Sequence, residues 1–459
     1  MSGWLRALAV GLVLIAVWLV IRQVGIFGFR PFGAPRERPP GPPIAGARGR
    51  LAYIRSGDLF TFDLRDGTER RLTQSRGVRS PRWSGAGNWI AFERDGRLLV
   101  AGQDGTGVVD VPGGDLPASA TWSPSGARLA YASLDGSLST FEPALRANQR
   151  RVLVPTGSGV GEGIVWTSDG IRLAYERHQR AGPNTSNEGI WTITEAGRDP
   201  LPVFVASGDV SLTLCCWTYS SAFLFFWQAG RGAAATDGAP LFAARSGSSQ
   251  PAQVIDLSLP IRSWADRAPR TEAMAFIAGG GRAATDGKRL IVALPRSLPD
   301  GRVAVETETI ESALAPAAPA WAPLAGTTAL VAYSAGPALG ARGGDLAASL
   351  AGRRIWLSRP DGSEKRALLA DATVPSAVSD ERPLWPRDAR TLVFARRLNP
   401  EAAVRQGHTG TDGAPDSLEL WVASADGTQS RRVAGGLADP GAGLNGVVSW
   451  DTVFDYYRG

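Results

Sequence analysis

The sequence predicts an all-β protein, built as a single closed β-propeller of four-stranded antiparallel blades. Three observations predict it: a tryptophan motif that recurs eight times, Asp-Gly pairs spaced for tight hairpins, and terminal segments that complement each other. Successive motif tryptophans lie 39 to 65 residues apart, and a regular repeat of this kind is typical of a closed or stacked array. We therefore expect one large domain rather than two or three.

Each repeat begins with a tryptophan that precedes a short apolar strand. In Pro81 to Phe92, Ala120 to Tyr131 and Ile164 to Tyr175, a closing aromatic residue follows the tryptophan by nine positions. The eight motif tryptophans are Trp83, Trp122, Trp166, Trp217, Trp264, Trp321, Trp385 and Trp450. The Trp264 and Trp321 copies are read with three residues inserted in the turn, and the Trp450 copy is degenerate. A large ring early in each blade can fill the wedge between neighbouring sheets, so all eight are expected to be structural.

Further strands and tight turns complete each repeat. In the first one, Trp89 to Phe92 is followed by the strands Arg97 to Ala101 and Val108 to Val111, with Asp-Gly turns between them. Glycine accepts the positive φ that such hairpin turns require. Four short antiparallel strands per repeat make one propeller blade.

The two ends of the body are expected to close the ring. Residues 51–73 match strands two to four of a blade that lacks its tryptophan strand, and Val447 to Trp450 supplies that strand. Pairing the termini leaves no open sheet edge. Counting tryptophans favours eight blades. Seven remain open, because Val453 to Tyr457 could duplicate the strand already provided by Leu51 to Ile54.

The repeat resembles that of the TolB-type propeller family, whose unit reads Pro-x-Trp-Ser-Pro-Asp-Gly, then Ile-Ala-Phe, and later Arg-Leu-Thr. The nearest matches are Trp122-Ser-Pro-Ser-Gly126 with Leu129-Ala-Tyr131, Trp166-Thr-Ser-Asp-Gly170, and Arg70-Arg-Leu-Thr73. The resemblance covers about residues 50–459. It implies the propeller fold and no particular function.

The first 49 residues predict a membrane tether. Residues 1–29 are strongly apolar and read as an uncleaved signal anchor, or a transmembrane helix, although a cleaved signal peptide is the alternative. Residues 30–49 are rich in Pro, Gly and Arg, which is typical of an extended linker. We expect a single-pass protein of the cell membrane with its propeller outside the cytoplasm. The inverse topology stays open, because the flanking charges do not decide the orientation.

Charge and cysteine content exclude other classes of protein. The net charge of +6 comes from the first 50 residues, and the remaining 409 contain 42 basic and 42 acidic side chains. A neutral body argues against a nucleic-acid-binding protein. Cys215 and Cys216 are adjacent and the only cysteines. We expect two ordinary small residues on a buried strand, with a vicinal disulfide as the alternative.

Candidate ligand contacts lie where the connection between the second and third strands lengthens. From the third repeat onward this connection grows, which predicts a rim of loops on one face of the disc. His178, Asp237, Asp286, His408 and Asp412 lie in these connections. Asp-Gly turns and incidental histidines explain them better than ligand contacts do, so we predict no metal and no cofactor.

The sequence contains no familiar nucleophile, zinc or phosphate motif. Four charged residues closely follow second strands and are candidates for chemistry at the axis, although a charge after a strand is usually just solvated: Glu176, Arg177, Arg396 and Arg397. We expect a monomeric scaffold rather than an enzyme, with another envelope protein or a cell-wall polymer as partner. The alternative is a carbohydrate- or peptide-processing enzyme, a hydrolase or lyase with an axial site, which requires carboxylates from different blades to converge there.

Overall fold

The computed structural model describes residues 42–458, with gaps at 116, 145–149, 181–185, 207, 231–236, 246–249, 280–286, 325–328, 338–351, 371–377, 399–417 and 441–447. The segment expected to anchor the protein, residues 1–29, and most of the linker over 30–49 lie outside the described residues. Within the described residues, no helix has both the length and the apolar character needed to cross a bilayer.

Eight four-stranded antiparallel sheets make up the described part of the chain. The first three strands, which belong to the last blade, are β1 (Arg50–Arg55), β2 (Asp58–Asp63) and β3 (Glu69–Arg71). Blade 1 consists of β4 (Val78–Trp83), β5 (Trp89–Arg94), β6 (Arg97–Gly102) and β7 (Val109–Asp115). Blade 2 consists of β8 (Pro117–Trp122), β9 (Leu129–Ser133), β10 (Leu138–Phe141) and β11 (Arg150–Val154).

Blades 3 to 5 follow in chain order. Blade 3 consists of β12 (Val160–Trp166), β13 (Arg172–Arg180), β14 (Ser186–Thr194) and β15 (Leu201–Val205). Blade 4 consists of β16 (Val210–Trp217), β17 (Leu224–Gly230), β18 (Ala239–Ala244) and β19 (Ala252–Ser258). Blade 5 begins after a 3₁₀ turn, Arg262–Trp264, and consists of β20 (Ala265–Arg267), β21 (Met274–Ala278), β22 (Arg289–Ser297) and β23 (Val303–Glu311).

Blade 6 consists of β24 (Leu314–Trp321), β25 (Val331–Pro337), β26 (Arg354–Ser358) and β27 (Arg366–Ala367). Blade 7 consists of β28 (Val378–Leu384), β29 (Thr391–Leu398), β30 (Leu418–Ser424) and β31 (Ser430–Gly435). A second 3₁₀ turn, Trp450–Thr452, precedes β32 (Phe454–Tyr457), which pairs with β1 and completes blade 8. The prediction of eight blades is therefore confirmed, and the alternative of seven is wrong.

The core of the protein lies between blades. Each hydrophobic cluster joins side chains of two adjacent sheets, as where Ala52 and Ile54 of blade 8 pack with Trp83 and Phe92 of blade 1. Second strands such as β9 are buried along their whole length, because both faces of a blade are covered by neighbours. Their sequences are accordingly continuous apolar runs such as Leu-Ala-Tyr rather than alternating ones.

The motif tryptophans occupy two different positions. The ring ends the inner strand of five blades (Trp83, Trp122, Trp166, Trp217 and Trp321), and Trp385 directly follows β28. These six inner strands each contain a β-bulge. Three of the indole N–H groups donate to the carbonyl before the tryptophan position of the preceding blade: Trp122 to Arg82 O (3.0 Å), Trp166 to Thr121 O (3.3 Å) and Trp385 to Ala320 O (3.0 Å).

Trp264 and Trp450 depart from the expected register. Both lie in the 3₁₀ turns that precede the short inner strands β20 and β32. Pairing of Arg267 with Met274 gives Arg267 the position that tryptophan holds in blade 1. Trp264 therefore lies three residues before the position that tryptophan holds in other blades. The turn after the inner strand contains no insertion.

Ring closure also differs in detail from the expectation. The strand that pairs with β1 is Phe454–Tyr457, with Arg50 opposite Tyr457 and Tyr53 opposite Phe454. Residues 448–450 lead into the 3₁₀ turn and form no such strand. Asp455 also accepts the backbone N–H of Trp83 at 2.7 Å, which joins the closing strand to blade 1. The repeat spacing therefore predicted a tryptophan near the closing strand, Trp450, but it placed the strand itself at 447–450 instead of Phe454–Tyr457.

Candidate functional site

A cavity of about 860 Å³ lies at the axis of the ring. Its walls come from the inner strands of blades 1 to 4 and from the segments that precede β20 and β32. The charged side chains in its lining are Arg82, Glu162, Glu176, His178, Arg262 and Asp451. Residues distant in sequence thus converge here because every inner strand faces the same axis.

His178 reaches the cavity from an unusually long hairpin. Strands β13 and β14 pair from Arg172 opposite Thr194 as far as Arg180 opposite Ser186. The lengthened connection predicted from the sequence is thus largely strand, and it sets His178 directly opposite Glu188. Nδ1 of His178 is hydrogen-bonded to the carboxylate of Glu188, which is buried. A carboxylate on Nδ1 fixes the ring orientation and leaves Nε2 as the basic nitrogen.

Glu176 lies two residues before His178 on β13 and is buried. One oxygen accepts the N–H of Gly163 at 2.9 Å, and the other accepts the N–H of Leu214 at 2.6 Å. Both donors lie beside bulges of inner strands. Nε2 of His178 is 3.9 Å from Oε2 of Glu176, and Nη2 of Arg262 is 3.7 Å from Oε1. Glu176 therefore joins blades 3 and 4, and its carboxyl group lies between a histidine and an arginine.

Glycines of β12 make this approach possible. A Cβ at Gly161 would lie 2.3 Å from Nε2 of His178 and 2.6 Å from Oε2 of Glu176. A Cβ at Gly163 would lie 2.1 Å from Oε1 of Glu176. A larger residue at either position would displace these side chains from the places they occupy here, since real Cβ atoms do not come so close to neighbouring atoms. The alternation Gly159-Val-Gly-Glu-Gly163 is thus a sequence signal for the site.

Arg262 lies among carboxylates within the cavity. Its Nε donates to the carbonyl of Leu214 at 2.8 Å. Burial lowers the pKa of Arg262, while the carboxylates of Glu176, Glu162 and Asp451 oppose that shift. The guanidinium stays positively charged, because even a lowered arginine pKa lies far above neutrality. An anionic or strongly polar group of a bound molecule would find a fixed cation here.

The predicted contact residues divide between several places. His178 lines the axial cavity, whereas Asp237 lies two residues before the third strand of blade 4 and is not part of its lining. Asp286, His408 and Asp412 lie outside the described residues. Glu176, named from the sequence for its position after a second strand, is in the lining. Glu188, Arg262 and Asp451 were missed, since no local motif marks them.

Arg396 and Arg397, which lie near the end of the second strand of blade 7, are held in ion pairs instead. Arg396 makes a bidentate pair with Asp380 at 2.6 and 2.9 Å. Arg397 is buried within 4.0 Å of Glu381. Neither arginine lines the axial cavity.

Two further expectations concern cysteines and metals. Cys215 and Cys216 form a vicinal disulfide with their Cα atoms 3.7 Å apart, which corrects the expectation of two ordinary small residues. Within the described residues, no group of three or more His, Cys, Asp and Glu side chains could hold a metal ion.

Solved structures share the fold with this chain. The Porphyromonas gingivalis dipeptidyl peptidase 4 is 12% identical, with a TM-score of 0.50 over 85% of this chain and 60% of that one. An oligogalacturonate lyase in complex with manganese is 13% identical, with a TM-score of 0.42 over 85% of this chain and 86% of that one. A putative TolB from Agrobacterium tumefaciens is 12% identical, with a TM-score of 0.32 over 84% of this chain and 88% of that one. The chain thus spans less than two thirds of the peptidase. No protein-family model and no curated protein matches the sequence.

The eight four-stranded blades confirm the resemblance to TolB-type propellers as one of fold. The expectation that the protein is not an enzyme is corrected, because a solved structure that shares this fold is a dipeptidyl peptidase. At such low identity the likeness concerns the fold alone. Any activity of this chain must therefore be argued from its own axial residues.

Proposed function

We propose that this protein is a carbohydrate-processing enzyme, a hydrolase or lyase, that uses acid–base catalysis in the axial cavity. The observation that carries the proposal is the pair formed by His178 and Glu188, which faces a cavity lined by carboxylates and guanidinium groups from several blades. An enzyme with an axial site requires such a convergence of carboxylates from different blades, whereas a scaffold does not.

The charged groups of the axial cavity have separate roles. Nε2 of His178 takes a proton from a water molecule or from a carbon of the substrate, and Glu188 stabilises the imidazolium that results. Glu162 and Asp451, which line the same cavity, supply the carboxyl group that protonates the leaving oxygen. Arg262 and Arg82 bind anionic or polar groups of the sugar. Glu176 accepts two backbone N–H groups and acts as a positioning residue.

The side chains around His178 favour a carbohydrate substrate over a peptide substrate. In the described part of the chain, the side-chain partners of His178 are the carboxylates of Glu176 and Glu188, and no serine or cysteine is hydrogen-bonded to it. Peptide hydrolysis by a histidine base usually relies on such a nucleophile or on a metal. Glycosidic bonds yield to acid–base groups alone.

The location of the protein remains a separate proposal. We propose that residues 1–29 anchor it in the cell membrane with the propeller outside the cytoplasm, where polymeric sugars of a cell envelope are accessible. The apolar run and its basic flanks support this.

The test is a panel of neutral and uronic-acid polysaccharides, assayed for new reducing ends and for the ultraviolet absorbance of unsaturated products. The variant His178→Asn should lose about 10²- to 10⁴-fold in kcat, the usual contribution of an acid–base group. His408→Asn, which removes the other histidine of the chain, is the matched control and should keep full activity. Cleavage of peptides but of no polysaccharide, or an active His178→Asn variant, would refute the proposal.

A further inference from the structure

The vicinal disulfide lies in a strand that holds two side chains of the axial site. Cys215 and Cys216 belong to β16, the inner strand of blade 4. Leu214 and Cys216 pair with consecutive residues of β17, which makes Cys215 the extra residue of a β-bulge. A bulge sets the direction of the backbone groups beside it. The disulfide therefore fixes the backbone where this strand departs from regular pairing.

The residue before the disulfide contacts the axial site through both of its backbone polar groups. The N–H of Leu214 donates to Oε1 of Glu176 at 2.6 Å, and the carbonyl of Leu214 accepts Nε of Arg262 at 2.8 Å. In the described part of the chain, this carbonyl provides the only hydrogen bond to the Arg262 guanidinium. Glu176 lies in turn 3.9 Å from Nε2 of His178. The Leu214 backbone thus helps to set the places of a carboxylate and a guanidinium in the axial cavity.

The disulfide also borders a separate cavity through which a small thiol can reach it. Cys215 is buried, whereas Cys216 is only partly buried. Cys216 lines a cavity of about 320 Å³ between blades 2 to 5, which shares no lining residue with the axial cavity. A reductant that enters there meets the sulfur of Cys216 without competing with a substrate at the axis.

Reduction by a small dithiol proceeds in two exchange steps. A thiolate of the dithiol attacks Sγ of Cys216, the S–S bond breaks, and Cys215 leaves as a thiolate that takes up a proton. The second thiolate of the dithiol then attacks the mixed disulfide, closes the oxidised reductant and releases Cys216, which is protonated in the same way. Two electrons pass from the dithiol to the protein, and two thiols replace the disulfide.

We propose that the Cys215–Cys216 disulfide is a positioning element of the axial site, and that its reduction by a small dithiol lowers the activity. The inference rests on the proposed function, because it assigns these cysteines a part in the same reaction. With the disulfide closed, the bulge holds Leu214 against Glu176 and Arg262. With two free thiols the bulge gains backbone freedom, and both contacts loosen. The oxidised state agrees with the proposed location outside the cytoplasm, where disulfides persist.

The first measurement does not depend on activity. Amide hydrogen exchange of the full-length protein is followed at single residues with and without dithiothreitol, and free thiols are counted by alkylation and mass spectrometry. Reduction should speed exchange of the Leu214 amide at least about tenfold and leave that of Phe226, its partner on β17, unchanged. Equal loss of protection at both amides would indicate a merely structural role and overturn the proposal, as would two free thiols in the untreated protein.

The second measurement uses the activity. Reduction should lower kcat at least about tenfold, since a small displacement of positioned groups has a large effect on the chemical step, and reoxidation should restore it. A double variant, Cys215→Ala with Cys216→Ala, should have the same low kcat, ignore dithiothreitol and stay folded in thermal unfolding. Full activity of the reduced parent would overturn the proposal. If the untreated parent cleaves no polysaccharide, the proposed function fails instead, and hydrogen exchange still decides the role of the disulfide.

Discussion

Among single side chains, Asp58 contributes to the stability of the fold through the hydrogen bonds that its carboxylate accepts. Asp58 is buried and accepts hydrogen bonds from Arg71 at 2.6 Å, Thr73 at 3.0 Å and the backbone of Arg76 at 3.1 Å. Burial by itself would raise the pKa of this carboxyl group, but the three donors outweigh it and the pKa is lowered. The charged form of Asp58 therefore stabilises the folded state.

Asp58→Asn should lower the free energy of unfolding at neutral pH by on the order of 1–3 kcal/mol, since charged hydrogen bonds are lost. Because a lowered pKa gives stability that is present above the unfolded value and lost as pH falls through the folded value, the difference from the parent should shrink in acid. Urea unfolding at neutral and acidic pH measures this. Asp110→Asn, at an exposed position of β7, is the control. A constant difference at all pH values would contradict the assignment.

Among the elements, the inner strand β12 decides whether the axial site can form. Its glycines were visible in the sequence, yet their purpose depends on Glu176 and His178, which belong to β13. Sequence periodicity therefore gave the blades and their strands, because each blade repeats one local pattern. It did not give Glu188 or Arg262, because cross-strand register and the convergence of blades at the axis are tertiary properties. For the same reason the repeat pattern could not show that Trp264 lies outside the inner strand of its blade.

Gly161→Ala tests the role of this element. The backbone of Gly161 needs no positive φ, but the new Cβ would fall on His178 and Glu176. We expect at least about a tenfold loss of kcat with a smaller effect on substrate binding, since a displaced acid–base group costs chiefly the chemical step. Activity assays and thermal unfolding measure the two effects. Gly230→Ala, in a strand position with open space around it, should change neither. Full activity of Gly161→Ala would show that the close approach is unimportant.

At the level of the whole molecule, closure by β32 holds the axial residues in place. This strand covers β1 and also bonds blade 1 through Asp455. Its absence would expose β1 as an unpaired edge next to a broken ring, and exposed edges promote association.

Truncation after Val453 should lower the unfolding temperature and produce concentration-dependent oligomers. Light scattering coupled to gel filtration, together with thermal unfolding, tests this. Removal of Gly459 alone leaves β32 complete and should have no effect. A truncated chain that stays monomeric and equally stable would show that the ring does not need its last strand.

The most direct test of the account is a crystal structure of the His178→Asn variant soaked with an oligosaccharide substrate. The account predicts sugar density in the axial cavity, with a ring between residue 178 and Arg262 and a glycosidic oxygen near Glu162 or Asp451. Density confined to the outer rim of the propeller, with the axial cavity left open to solvent, would contradict it.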